Sequence, residues 1–227
     1  MTTIFDPSIS YIIDNQLLAY RDLFLSVCEP AHTYLMNTVL SRSGEVTGRM
    51  YFLLDGIVKV YTTNPGGYTR ILGYHKRNTL FAMDCICPGE SAVVTMESIK
   101  EVQVLTVTWA ELEKMDQARP GFLKDLVKYY GSVLRLMCFD AENISARDAA
   151  ARLATFLCMF KKHHDEEGRK EPNRINLTQD ELASAVNASR IQTARICADF
   201  RSQGLISCTR GAVIIEDPDG LMEISQY

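Results

Sequence analysis

Residues 177–206 read LTQDELASAVNASRIQTARICADFRSQGLI, from Leu177 to Ile206. Thr178 followed by Asp180 and Glu181 predicts a helix start, with a hydroxyl to cap the first free amides and acids where the helix dipole favours them. Leu182, Ala183 and Val186 supply that helix with a buried face. Asn187 suits the left-handed residue of a tight turn, and Ser189 then caps a second helix. On it Thr193, Ile196, Cys197 and Phe200 recur at helical spacing and are expected to face inward. Arg190, Ile191, Gln192 and Arg195 are left on the outer side and at the exposed N-terminal end. Gly204 ends the helix. Leu205–Cys208 and Ala212–Ile215 read as two strands about Thr209-Arg210-Gly211, a hairpin wing whose Arg210 can reach a phosphate. A helix presented this way can enter a major groove with its first residues at the base edges. Between Arg174 and Arg210 five arginines face three acids, a surplus of +2 in a chain of net charge −4, which suits phosphate binding. Thr178, Ser189, Arg190, Ile191, Gln192, Arg195 and Arg210 are therefore the candidate DNA-contacting residues.

Upstream of this segment the pattern changes twice. Tyr51–Leu54, Ile57–Tyr61, Arg70–Tyr74, Ala92–Thr95 and Val102–Val107 are short runs of branched and aromatic residues, separated by turn signals such as Asn64-Pro65-Gly66-Gly67. Asp55-Gly56 between two of them predicts a two-residue hairpin. Strands at this spacing predict an antiparallel barrel or jelly roll. From Trp109 the chain reads as helix, broken at Pro120-Gly121. Phe122, Leu126, Tyr130, Val133, Leu134 and Met137 then form one apolar stripe, widened by Tyr129 and Leu136. So broad a face predicts two partners, the barrel and a second copy of the same helix, with Phe122, Leu126, Val133, Leu134 and Met137 at the dimer contact. Ser145-Ala146-Arg147-Asp148 fits a capping box and marks the next helix, carrying Leu153, Phe156, Leu157 and Phe160. A polar loop is expected over 161–174, with His163-His164 solvated within it.

The 227 residues, 47% of them hydrophobic, suit one large domain or two modest ones. No apolar run long enough to cross a membrane and no export signal at Met1 is legible, so a cytoplasmic protein without membrane partners is expected. Seven scattered cysteines suit reduced thiols, and Cys85-x-Cys87 lacks the spacing of common zinc and redox sites. There is no Ser/His/Asp set, phosphate-binding glycine loop or metal-ligand cluster at workable spacing, so an enzyme is not expected. The rival reading is a ligand-binding regulatory module acting on a protein partner, which requires the arginine-bearing helix to be buried or its charges occupied.

Strands, one long helix, then Gln179-Asp180-Glu181-Leu182-Ala183 and Ser189-Arg190-x-x-Thr193-x-Arg195 resemble the CRP/FNR family of transcription regulators. Ser43-Gly44-Glu45 and the run from Tyr51 to Val60 resemble that family's first hairpin. The resemblance implies an α+β chain: a β-roll sensor related to cyclic-nucleotide-binding domains over 1–118, a dimerisation helix over 119–146, and a winged helix-turn-helix over 147–227. It also implies a homodimer on double-stranded DNA with half-sites roughly 34 Å apart, a small-molecule effector, and RNA polymerase as a partner. Cyclic-nucleotide-binding members carry a ribose-binding acid and a phosphate-binding arginine; here Met83 and Glu90 stand at those places. A carboxylate facing a phosphate repels it, so cyclic AMP is not the expected ligand. Only Cys28 lies where iron-sulfur members hold a cysteine group, and His75 is the one candidate for a haem-sensing alternative. The remaining pattern is similar to the halorespiration regulators, which bind chlorinated aromatic acids and share an apolar residue at the place of Ile191. That similarity implies a pocket of Tyr74, Phe81, Met83, Val127 and Tyr130 for a small, mostly apolar effector of the aromatic kind and no cofactor. Effector binding is expected to shift a population through the 143–148 junction.

Overall fold

The computed structural model describes residues 9–87 and 89–226; the first eight residues of the expected sensor domain lie outside the described residues. The chain runs β1 (Ile12–Ile13), α1 (Arg21–Val27), β2 (His32–Tyr34), β3 (Val39–Ser41), β4 (Met50–Asp55), β5 (Val58–Thr63), β6 (Thr69–His75) and β7 (Thr79–Phe81). It continues through β8 (Thr95–Ser98), β9 (Val102–Val107), α2 (Trp109–Ala118), α3 (Phe122–Ala146) and α4 (Ala149–Glu166). It closes with β10 (Arg174–Ile175), α5 (Gln179–Ala185), α6 (Arg190–Ser202), β11 (Ile206–Thr209), β12 (Ala212–Ile215) and α7 (Pro218–Ile224). Contacts divide it into two compact units. One comprises 12–64 and 72–134, the other 9–11, 65–71 and 135–226. Ala118 and Ala146, the expected domain limits, are the last residues of α2 and α3, whereas the contact boundary falls inside α3.

In the first unit the strands form two sheets, ordered β1-β6-β5-β8-β3 and β2-β9-β4-β7. Alternate side chains of both sheets enter one core that includes Leu40, Leu53, Val58, Phe81, Met96, Val102 and Val104. This is the expected β-roll, with two local differences. Asp55-Gly56 does not close a hairpin within one sheet, because β4 and β5 belong to different sheets. Gly56 turns the corner between them at φ +99°, and an added Cβ there would lie 2.5 Å from the Glu101 carbonyl. The strand expected at Ala92–Thr95 begins instead at Thr95. An Asp84 oxygen accepts the Val93 and Val94 amides, at 2.7 and 3.1 Å, and holds both residues in a bend.

The long helix α3 is present, but its two faces do not divide as expected. Phe122 and Leu126 are buried against their own chain. Phe122 packs edge-on to Tyr20 and Phe24 at ring separations of 5.1 and 5.7 Å. They belong to the core and not to a dimer contact. Val133 and Met137 are half-buried, and Leu134 is 63% exposed. Val127, placed by resemblance in the effector pocket, is 70% exposed on the same side as Leu134.

In the second unit, α4 starts one turn later than its expected cap. Asp148, not Ser145, is the N-cap, its carboxylate accepting from the Ala151 amide at 2.8 Å. Ser145 lies within α3 and donates to the Glu142 carbonyl. The helix then runs through Glu166 where a polar loop was expected, supported by Lys161–Asp165 and Lys162–Glu166 pairs at i, i+4. His163 and His164 are consequently buried helical residues and not solvated ones. Strands β10, β12 and β11 form the small sheet of the wing.

Gly56→Ala is expected to destabilise the β-roll by about 2 kcal/mol or more, since it combines an unfavourable φ with a backbone clash. Urea unfolding of the two proteins checks this.

Candidate nucleic-acid interface and sensor core

The interface begins with a capping box. Thr178 Oγ1 accepts the Glu181 amide at 3.2 Å, and the Glu181 carboxylate accepts the Thr178 amide at 2.7 Å, so two otherwise free donors at the start of α5 are satisfied. Helix α5 ends at Ala185, and Asn187 adopts φ +52°, the left-handed conformation that asparagine tolerates. Ser189 then accepts the Gln192 amide at 3.1 Å and starts α6.

Turning the chain so sharply exposes carbonyls that the helices do not pair. Arg152 on α4 collects them: Nε donates to the Val186 carbonyl at 2.8 Å and Nη2 to that of Asn187 at 3.2 Å. Its Nη1 reaches the Arg147 carbonyl at 2.6 Å, across the α3–α4 junction. The Tyr68 hydroxyl shares its proton between the Ala183 and Ala188 carbonyls at 3.2 and 3.3 Å. Arg147 itself is buried, donating to Thr155 and to the Ser225 carbonyl at 2.9 and 2.6 Å. None of these three residues was among the candidates. Arg152 flanks the apolar stripe of α4, half-buried beside Leu153, and no local pattern says that an arginine there serves a turn thirty-five residues on.

The two sides of α6 separate as the sequence predicts. Thr193, Ile196, Cys197 and Phe200 are buried, whereas Ser189, Arg190, Ile191, Gln192 and Arg195 are exposed, Ile191 by 68%. The helix is thus not buried, which removes one of the two conditions that the protein-partner reading offered; the other, an occupied charge, is met at Arg190 by its exposed pair with Asp180. Thr178 and the wing-turn residue Arg210 are exposed too, Arg210 beside Gly211 at φ +76°. Between α5, α6 and the wing lies an open cleft of about 340 Å³, lined by Thr178, Asp180, Arg190, Cys208 and Thr209. Arg190 Nε stands 3.4 Å from Asp180, both side chains well exposed. Such a pair contributes about 0–1 kcal/mol and yields readily to a stronger anion.

The residues expected to meet an effector are distributed unevenly in the first unit. Phe81 is in the core, stacked on Tyr51 at 5.5 Å. Met83 is half-buried in a short turn entered through Ala82 at φ +63°. The Tyr130 hydroxyl is buried and has no hydrogen-bond partner among the described residues. Burial, with Tyr129 and the Asp84 carboxylate close by, holds its phenol well above the ordinary range. Tyr74 is a core residue in register with Ile12, and Val127 faces away. His75 packs 5.7 Å from Phe81, its Nδ1 3.4 Å from the Tyr129 hydroxyl, which donates to the Leu80 carbonyl at 2.5 Å. A ring this enclosed does not fit a haem ligand, which needs an open nitrogen.

Burial pushes the His75 imidazole down from 6.5 to about 4. Below pH 6.5 the unfolded chain binds a proton that the folded chain refuses until about pH 4. The stability due to neutral His75 is therefore complete above pH 6.5 and is lost on acidification through that window, by about 1.4 kcal/mol per pH unit. Urea unfolding at pH 7, 6 and 5 should show this loss in the parent and not in His75→Gln.

Comparison with known proteins agrees with this arrangement. A cyclic nucleotide-binding domain model matches residues 31–119, and a Crp-like helix-turn-helix domain model matches 151–224. The cAMP-activated global transcriptional regulator CRP of Salmonella typhimurium is 22% identical over 193 residues, covering 85% of this chain and 91% of its own length. Among solved structures, CprK complexed with OCPA has a TM-score of 0.71 at 14% identity, covering 95% of this chain and all of its own. The c-di-GMP-responsive global regulator CLP of Xanthomonas campestris has a TM-score of 0.74 at 17% identity, covering 87% of this chain and 98% of its own. Among the described residues no helix is long and apolar enough to cross a membrane. With both domain models matched in order on a β-roll and a winged helix-turn-helix, the chain belongs to the CRP/FNR family of transcription regulators.

Proposed function

We propose that this protein is a homodimeric, cytoplasmic regulator that binds a two-fold-symmetric operator when a small ligand other than cyclic AMP occupies its β-roll, and that it acts with RNA polymerase. The observation that carries the reading is the exposure of Arg190, Ile191, Gln192 and Arg195 on a helix whose opposite side is buried. Arg195 pairs bidentately with a guanine, and Ile191 packs on a thymine methyl. Arg190 leaves Asp180 for the DNA, and Arg210 holds a phosphate from the wing.

For the ligand, the support is chemical. The loop over 82–94 contains Asp84 and Glu90 and neither lysine nor arginine, so nothing in it offsets a cyclic phosphate. Relatives of the same fold are named for cyclic AMP, for OCPA and for c-di-GMP, so the architecture itself does not dictate the effector. The unpartnered Tyr130 hydroxyl, taken with the apolar side chains of Phe81 and Met83, favours a mostly apolar ligand carrying one polar anchor, in the manner of the halorespiration regulators.

For the dimer, the support is the outer line of α3. Val127, Gly131, Leu134, Cys138 and Ala141 are all exposed and follow one another at steps of four and three, the spacing of a coiled-coil seam. The proposed contact therefore keeps Leu134, with Val133 and Met137 at its flanks, and replaces Phe122 and Leu126 by Val127 and Cys138.

Operator selection from random DNA should return A·T opposite Ile191; a strong G·C there would reject the assignment. Arg195→Ala should cost about 1–3 kcal/mol and relax one base position, whereas Arg210→Ala should weaken all sequences alike and flatten the salt dependence. Leu134→Glu should convert the dimer to monomer in sedimentation equilibrium, because burial against a second copy is worth about 1.5–3 kcal/mol per leucine. A variant that stays dimeric would move the contact elsewhere.

A further inference from the structure

Two acids open α5, and they are placed for different work. The Glu181 carboxylate serves the cap, accepting both the amide and the hydroxyl of Thr178 at 2.7 and 2.8 Å. Thr178 and Glu181 complete that box between them, which leaves Asp180 outside it. The Asp180 carboxylate stands instead 3.4 Å from Nε of Arg190, the first residue of α6, with the two side chains 65% and 70% exposed. Both line the cleft between α5, α6 and the wing. In a helix-turn-helix the start of the second helix meets the base edges, and the ion pair puts Asp180 at that start. A carboxylate brought up to DNA is repelled by the phosphates. It is compensated only by a donor, and the donors that bases show in the major groove are the amino groups of cytosine and adenine.

We infer that Asp180 is a specificity-determining residue: together with Arg190 it reads one G·C pair, accepting from the cytosine amino group while Arg190 donates to guanine. Across the major groove a G·C pair shows two acceptors, guanine N7 and O6, and then one donor, cytosine N4–H. O6 and N4 are hydrogen-bonded to one another and so lie about 2.9 Å apart. The guanidinium and the carboxylate, 3.4 Å apart, offer donors and an acceptor in the same order and at a similar spacing. As this exposed pair opens, each partner exchanges the other for its complement on the base pair, and an exposed ion pair costs little to open. An A·T pair in the same place sets the adenine amino group against the guanidinium and thymine O4 against the carboxylate. Arg190, Ile191, Gln192 and Arg195 include no carboxylate, so the acidic acceptor at this end of α6 comes from α5.

The inference rests on the DNA-binding reading above, and two variants keep the two apart. Operator selection with Arg190→Ala identifies the base pair that Arg190 reads, as the position that relaxes. Full-length protein is then titrated by fluorescence anisotropy with duplexes differing only at that pair. Replacing G·C by A·T should weaken binding about tenfold more in the parent than in Asp180→Ala, a difference on the scale of one mismatched base pair. The alanine variant keeps the Thr178–Glu181 cap, so α5 still forms. Equal penalties in the two proteins would overturn the proposal. So would an Asp180→Ala protein that binds every sequence more tightly by the same factor with a steeper salt dependence, the signature of a carboxylate that only repels phosphates. A parent that binds no DNA, or an Arg190→Ala protein that selects the parent's sites, would sink the underlying reading and this inference with it.

Discussion

A helix-turn-helix is only as well defined as its turn, and here one guanidinium and one phenol hold it. An unpaired buried carbonyl costs about 1–3 kcal/mol, and the stretch from Val186 to Asn187 presents two that neither helix satisfies. Arginine has five donors in a rigid fork, and Arg152 spends three of them on Val186, Asn187 and Arg147. The same side chain thus ties the turn before α6 to the junction before α4. The direction in which α6 leaves the protein, and so which side chains can meet DNA, follows from this attachment.

The second constraint is the unequal pair of faces on α3. Phe122, Leu126, Tyr129, Leu136 and Phe139 are buried, whereas Val127, Leu134 and Cys138 are exposed. Where Phe122 meets Tyr20 and Phe24, the contact is an aromatic cluster continued by Phe24 stacked on Phe52 at 3.9 Å. Each such ring pair adds about 0.5–1.5 kcal/mol beyond the area it buries. These large rings fill one chain's interior, and the smaller exposed residues leave the outer line free for close approach of another helix.

How much of this was legible in the sequence depended on whether the cause was local. The caps at Thr178 and Ser189, the left-handed Asn187, the stop at Gly204 and the inner face of α6 are all written within a few residues of where they act, and all are found. The errors arise where a distant group decides. Asp84 reaches forward to the amides of Val93 and Val94 and delays β8. Gly56 looks like a hairpin glycine because the close carbonyl of Glu101 is invisible in its neighbourhood. Phe122 and Leu134 share one apolar stripe in the sequence, and only Tyr20 and Phe24, a hundred residues earlier, show that the stripe is two surfaces. His163 and His164 resemble a charged loop until the i, i+4 pairs around them are recognised as helical.

The hairpin between β5 and β6 gives the chain an unusual seam. Residues 65–71 group with the DNA-binding unit rather than with the sheet from which they emerge. Tyr68 from that tip reaches the turn carbonyls, and Arg70 pairs with Asp140, which also accepts from Tyr11. A fragment excised at the start of α4 would therefore leave behind groups that finish its own hydrogen bonding. The C-terminal part of this protein is not an autonomous module to be transplanted whole; it borrows a loop from the front of the chain to complete itself.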